Sequence, residues 1–128
     1  MDRPSLLLAL ALSACAPYAN AQPTDCAPDG NPDDILHCEE RRLAAADEAL
    51  GKAYRAVVRA LYDDPAPDAQ AALRTLTNAQ RQWIRFRDDD CDAVYLAHHR
   101  AALRERYRLR CKTAHADMRA RQLGVFND

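Results

Sequence analysis

Apolar side chains recur along this chain at threes, fours and sevens and nowhere alternate, so the pattern predicts helices and no strand. Leu36, Leu43, Leu50, Tyr54, Val57 and Leu61 form the first stripe. It begins behind Asp29-Gly30-Asn31-Pro32-Asp33-Asp34, where Asn31 can cap, Pro32 suits the first helical position and the aspartates favour the positive end of the helix dipole. A helix is expected from Pro32 to about Tyr62, weakened but not ended by Gly51. Asp63-Asp64-Pro65-Ala66-Pro67-Asp68 then breaks the pattern. Two prolines stop the first helix, Asp68 is placed to cap the next, and a hairpin reversal belongs between them.

The second stripe carries Leu73, Leu76, Gln80, Trp83, Ile84 and Arg87 and runs at least to Cys91. Trp83, Arg87 and Cys91 fall at i, i+4 and i+8, so one inward face holds an aromatic anchor, a guanidinium and a thiol. Trp83 is expected to pack in the core, Arg87 to pair internally with an acid such as Asp47, and Cys91 to form half of a disulfide. Between Cys91 and Cys111 there is no Gly or Pro, and Val94, Tyr95, Leu96, Leu103, Tyr107 and Leu109 fit one long helix or two. A Cys91–Cys111 bridge would exclude a straight helix, because 20 residues at 1.5 Å each span roughly 30 Å and bridged Cα atoms lie about 5.5 Å apart. With that bridge the chain reverses near Ala101, and the last helix passes through Cys111, Met118 and Leu123 to stop near Gly124. The fold expected is all-α, a small antiparallel three-helix bundle stapled by two disulfides.

Export is the reading that makes the cysteines intelligible. Arg3, the apolar run from Leu6 to Leu12 and the small residues behind it have the layout of a secretory signal too short to span a membrane. Cleavage after Ala21 would leave a periplasmic or secreted chain. Leu12-Ser13-Ala14-Cys15 also fits a lipobox, in which Cys15 would carry a lipid anchor at the membrane. Residues 1–21 are thus assigned to the signal peptide, 22–31 to an N-terminal arm, 32–124 to the helical domain and 125–128 to a C-terminal tail. Outside the cytoplasm, Cys26, Cys38, Cys91 and Cys111 are expected to form two bridges, each contributing roughly 2 to 4 kcal/mol. Their spacing permits Cys26–Cys38 with Cys91–Cys111, and also Cys38–Cys91 with Cys26–Cys111; the local pairs are preferred. Spacings of 12, 53 and 20 lack the short knuckle of a zinc site.

Charge matters here by distribution. From Gln22 to Leu50 eight acids face two bases, and from Gly51 onward ten acids face fifteen bases. The basic stretch from Arg100 to Arg121 includes Glu105 and Asp117 and reads as a solvated helix face, so no nucleic-acid partner is expected. Asp88, Asp89, Asp90 and Asp92 crowd one helix end without the separated environments that acid–base catalysis by carboxylates requires. They also lack the glycine and distal glutamate of a calcium loop. His98 and His99 diverge on a helix, and His37 and His115 have no second ligand at i+4. With three glycines there is no phosphate loop. No enzyme, metal or cofactor is expected.

Gln80-Arg81-x-Trp83-x-x-x-Arg87-Asp88-x-x-Cys91, set in the four-cysteine frame with Leu43, Asp47, Leu50, Tyr54, Arg119 and Leu123, resembles the small exported bacterial proteins related to the lysozyme inhibitor LprI, long catalogued as a domain of unknown function. The chain departs from them in lacking a glycine-rich loop before the last cysteine, in having Asp33-Asp34 for a glutamate before Cys38, and in Ala116 for a threonine; the last two substitutions are read as changes of cap and surface. The resemblance implies a non-catalytic binding protein whose partner is a lysozyme or another envelope protein. An acidic pole would serve that role. In an antiparallel hairpin, Asp33, Asp34, Glu39 and Glu40 at the start of the first helix lie beside Asp88, Asp89, Asp90 and Asp92 at the end of the second, facing a basic partner. The alternative is an envelope adaptor without inhibitory activity.

Overall fold

The computed structural model describes Cys26 and residues 30–127; the signal segment, both candidate processing sites and Cys15 lie outside the described residues. Three helices follow one another: α1 (Pro32–Asp63), α2 (Pro67–Ala97) and α3 (Arg104–Leu123). They pack as a bundle with no strand among the described residues. Asn31 caps α1 through its side-chain oxygen, which accepts from the Asp33 amide at 2.9 Å, with Pro32, Asp33 and Asp34 in the first turn. The bridges are local, Cys26–Cys38 and Cys91–Cys111, with Cα separations of 5.7 and 5.5 Å. The second of them requires the reversal expected near Ala101, and residues 98–103 supply it.

The hairpin between α1 and α2 differs in its chemistry from expectation. Asp68 does not cap α2; Ala66 occupies the capping position without a side-chain bond, Pro67 opens the helix and Asp68 sits in its first turn. Asp64 has extended backbone, as a residue before proline prefers, and its carboxylate accepts from the Ala66 amide at 2.9 Å. Gln70 reaches back from α2 to donate to the carbonyls of Leu61 and Asp64, closing the end of α1. Gly124 does not stop α3 with a left-handed turn either. Its φ of −59° is helical, and the chain tightens into a 3-10 turn, Gly124–Asn127, where a tail was expected.

α3 lies mainly against α1 and less against α2, while α1 and α2 touch least. The core joins Ala46, Leu50 and Val57 of α1, Leu76 of α2, and Ala116 and Leu123 of α3, with Ala53, Tyr54, Leu61, Trp83 and Ala120 packed around it. Small side chains at Ala46, Ala53, Ala116 and Ala120 let α3 approach α1 closely. Ala116 is fully buried, so the departure read as cap or surface is a core position. The stripe of α1 holds from Leu50 through Tyr54, Val57 and Leu61 but differs in its first turns, where Ile35 and Glu39 are buried and Leu36 only partly so. Trp83 stands at the edge of the core, half-buried. Ile84, expected on the same stripe, is 42 % exposed, because one residue of helix turns it about 100° away and no fourth helix among the described residues covers that side. Met118 of α3 is 45 % exposed.

Candidate functional site

Two rows of polar contacts converge on α3. Towards α1, Glu39 is only 1 % exposed, and one of its oxygens accepts from Arg110 Nε at 2.7 Å and from Arg106 Nε at 3.2 Å. Arg106 also donates to the Cys26 carbonyl at 3.0 Å, tying the N-terminal arm to α3. The second oxygen, Oε2, lies 3.7 Å from Arg42 Nη1 and has no hydrogen-bond partner among the described residues. Glu39, Arg42, Arg110, Thr113, Ala114 and Asp117 border an open groove beside it. A buried carboxylate persists only where cations answer it, and α3 supplies them one turn apart.

Towards α2, acid after acid meets a base of α3. Asp92 pairs with Arg108 at 3.3 Å, Asp88 with Lys112 at 3.1 Å and Asp90 with His115 at 2.8 Å, and Gln80 accepts from Arg119 at 3.0 Å. Partial burial pushes the Asp88 carboxyl up, but hydrogen bonding and charge from Lys112, joined by Arg87, prevail and hold it below the usual aspartate value. Hydrogen bonding to Glu105 raises Arg108; burial opposes this, and Asp92 adds to the rise. At the turn, the Arg104 and Arg108 guanidinium carbons lie 4.3 and 4.8 Å from the Tyr95 ring centroid, and His98 stacks on Tyr107.

These contacts explain the motif of α2 as a tertiary clamp. Gln80 grips α3, Trp83 packs on the core, and Arg87 crosses to α1, where Nη1 lies 2.9 Å from Asp47 Oδ1. The Arg87 guanidinium also lies 5.3 Å from the Trp83 ring centroid and bonds Asp88. Arg81 is exposed and makes no side-chain hydrogen bond or ion pair among the described residues.

The eight acids expected at one pole are not equivalent. Glu39 is buried beneath α3, Asp88, Asp90 and Asp92 are each answered by α3, and Glu40 pairs with His37. Asp89, Asp33 and Asp34 are exposed and without an ion pair among the described residues. The Glu39 network escaped the sequence reading although its signal was present: Ile35, Glu39, Ala46, Leu50 and Val57 recur at fours and sevens. The hydroxyls of Thr77 and Thr113 donate to their own helix carbonyls, and the two cysteines beside His115 are joined to each other. The arrangement can place charge; it offers no activated nucleophile among these groups.

A family model described as lysozyme inhibitor LprI matches residues 25–123, which take in all three helices and both disulfides. The chain belongs to the LprI family. An uncharacterized protein of Rhizobium meliloti (strain 1021) is 38 % identical over 92 residues, covering 66 % of this chain and 66 % of that relative. No solved structure matches. In this LprI chain the segment from Gln80 to Asp88 thus joins α2 both to α3, through Gln80 and Asp88, and to α1, through Arg87. No helix among the described residues is long and apolar enough to cross a membrane.

Proposed function

We propose that this chain is an exported protein that binds a lysozyme and blocks it by occupancy, without catalysing a reaction. The observation that carries the reading is the match to the lysozyme-inhibitor family across the entire bundle. The binding surface proposed is the end of α2 around Asp88, Asp89, Asp90 and Asp92, where Asp88 is half-buried, Asp90 and Asp92 are exposed but paired with α3, and Asp89 is the unpaired charge. Lysozymes are typically basic, and an acidic surface accelerates their approach and selects orientation. Ion pairs to α3 hold the neighbouring carboxylates in place, so little side-chain freedom is lost on binding.

The test is a titration of several lysozyme types with the mature chain. Inhibition that saturates at a fixed stoichiometry and weakens with added salt is expected, and Asp89→Lys should weaken it about tenfold. Inhibition indifferent to salt and to that variant moves the interface elsewhere. No effect at stoichiometric excess rejects inhibition and favours the envelope adaptor. Mass spectrometry of the protein from its native host tests the export reading: a start at Gln22 supports cleavage after Ala21, and a lipid mass on Cys15 supports the anchor.

A further inference from the structure

Asp90, Cys91, Cys111 and His115 each bring one potential ligand atom into a cluster in which all four lie within 4.8 Å of one another. The two sulfurs are adjacent because they are bonded, and Asp90 is the neighbour of Cys91. The imidazole is not forced to be there. His115 stands one turn beyond Cys111, and its Nε2 crosses between helices to lie 2.8 Å from Asp90 Oδ2. Phe86 contacts the ring edge-on, which helps fix its direction. Cys91 is fully buried, Cys111 and His115 are partly buried and Asp90 is 46 % exposed, so the cluster is sheltered on the Cys91 side and open on the Asp90 side.

We propose that the Cys91–Cys111 pair has a second, mutually exclusive state, in which reduction converts the staple into a tetrahedral site for zinc or a similar divalent ion, held by two thiolates, the His115 imidazole and the Asp90 carboxylate. Two thiolates, a nitrogen and an oxygen make a donor set suited to zinc, and the open side gives it a path of entry. The redox step balances with a dithiol as reductant: its two electrons and two protons cleave the sulfur–sulfur bond and yield two thiols, while the dithiol closes to its own disulfide. The metal then displaces both thiol protons. Asp92–Arg108, Asp88–Lys112 and Gln80–Arg119 keep α2 and α3 in register while the covalent link is open. Cα atoms 5.5 Å apart suit cysteines sharing one ion as well as cysteines sharing one bond.

The test uses Co²⁺, whose thiolate complexes absorb in the near ultraviolet and whose tetrahedral complexes absorb in the visible. The mature chain is reduced with a phosphine, which avoids competition from a dithiol chelator and takes its oxygen from water. One equivalent of Co²⁺ is expected to produce both bands, and excess Zn²⁺ to abolish them. The oxidised chain should produce neither. Cys26→Ala/Cys38→Ala should retain the spectrum, His115→Ala should weaken binding at least tenfold, and Cys111→Ser should lose half of the thiolate band. Far-ultraviolet circular dichroism is recorded throughout, and retained or metal-restored helix is the expected result. A reduced chain that stays unfolded with metal overturns the proposal, as do missing bands or a spectrum unchanged by His115→Ala.

Discussion

Glu39 of α1 is almost wholly buried and accepts a 2.7 Å hydrogen bond from Arg110 on α3, 71 residues away. Arg106 completes the pairing from one turn earlier. Removing the carboxylate leaves two guanidinium groups facing each other and exposes the loss of a buried network. Glu39→Ala should therefore destabilise the fold by about 3 kcal/mol. Arg110→Ala leaves Arg106 on the buried carboxylate at 3.2 Å and should cost less, about 1.5 kcal/mol. Urea unfolding of both variants checks the contrast, and equal losses would contradict it.

Arg87 joins α2 to α1 through Asp47 and also lies against Trp83. Asp47 is 44 % exposed, so the ion pair itself is screened by water and should show a coupling of about 0.5 kcal/mol in a double-mutant cycle. Arg87→Ala should cost more, about 1.5 kcal/mol, because it also removes the side chain's apolar stem and its contact with the indole. Arg87→Lys should recover the pair and only part of the packing. Denaturant midpoints of the four variants provide the measurement.

The Asp88 carboxyl is held below its ordinary value of 3.8 in the folded chain, with Lys112 as the main lowering influence. A depressed folded pKa favours folding above the unfolded value, and the benefit disappears as pH falls through the lower, folded value. Thermal unfolding should therefore show a contribution from this pair at pH 5 to 7 that fades below about pH 4. Lys112→Met should flatten that part of the acid profile. An unchanged acid slope in the variant would assign the dependence to other carboxylates.

Gly51 lies mid-helix in α1, where the atoms nearest to an added Cβ would be those of the Arg55 guanidinium, the first at 3.0 Å. That group ends a flexible, exposed side chain and can move. Gly51→Ala should stabilise the protein by about 0.5 to 1 kcal/mol, since alanine restricts the unfolded chain and suits a helix interior. Calorimetry would detect this as a higher midpoint, and a lower one would mean that Arg55 is held in place.

Much of the bundle is legible in local features, and the reasons are local too. The 3.6-residue repeat and the caps are properties of neighbouring residues, so the Asn31–Pro32 start, the Pro65–Pro67 break and the stripe through Trp83 can be read directly. The reversal between Cys91 and Cys111 is legible only conditionally, because no glycine or proline marks it and the bridge must be assumed first. Gly124 marks the end of α3 as expected, but by tightening into a 3-10 turn where its amide bonds the Arg121 and Gln122 carbonyls, not by a left-handed residue.

By itself the sequence determined the start of α1, the break between α1 and α2, the cysteine inventory and the family resemblance, and it offered Asp47 as one candidate acid for Arg87. Tertiary structure alone decided which acids are free. α3 carries its bases at threes and fours, and its rotation and height against the hairpin place Arg106 and Arg110 on Glu39 and Arg108, Lys112 and His115 on the aspartates of α2. Those two quantities are set by the length of the 98–103 turn, the Cys91–Cys111 bridge and the close approach that Ala46 and Ala116 allow. Sequence spacing specifies the face on which a charge lies; the packing of a third helix determines whether that charge meets water or a base.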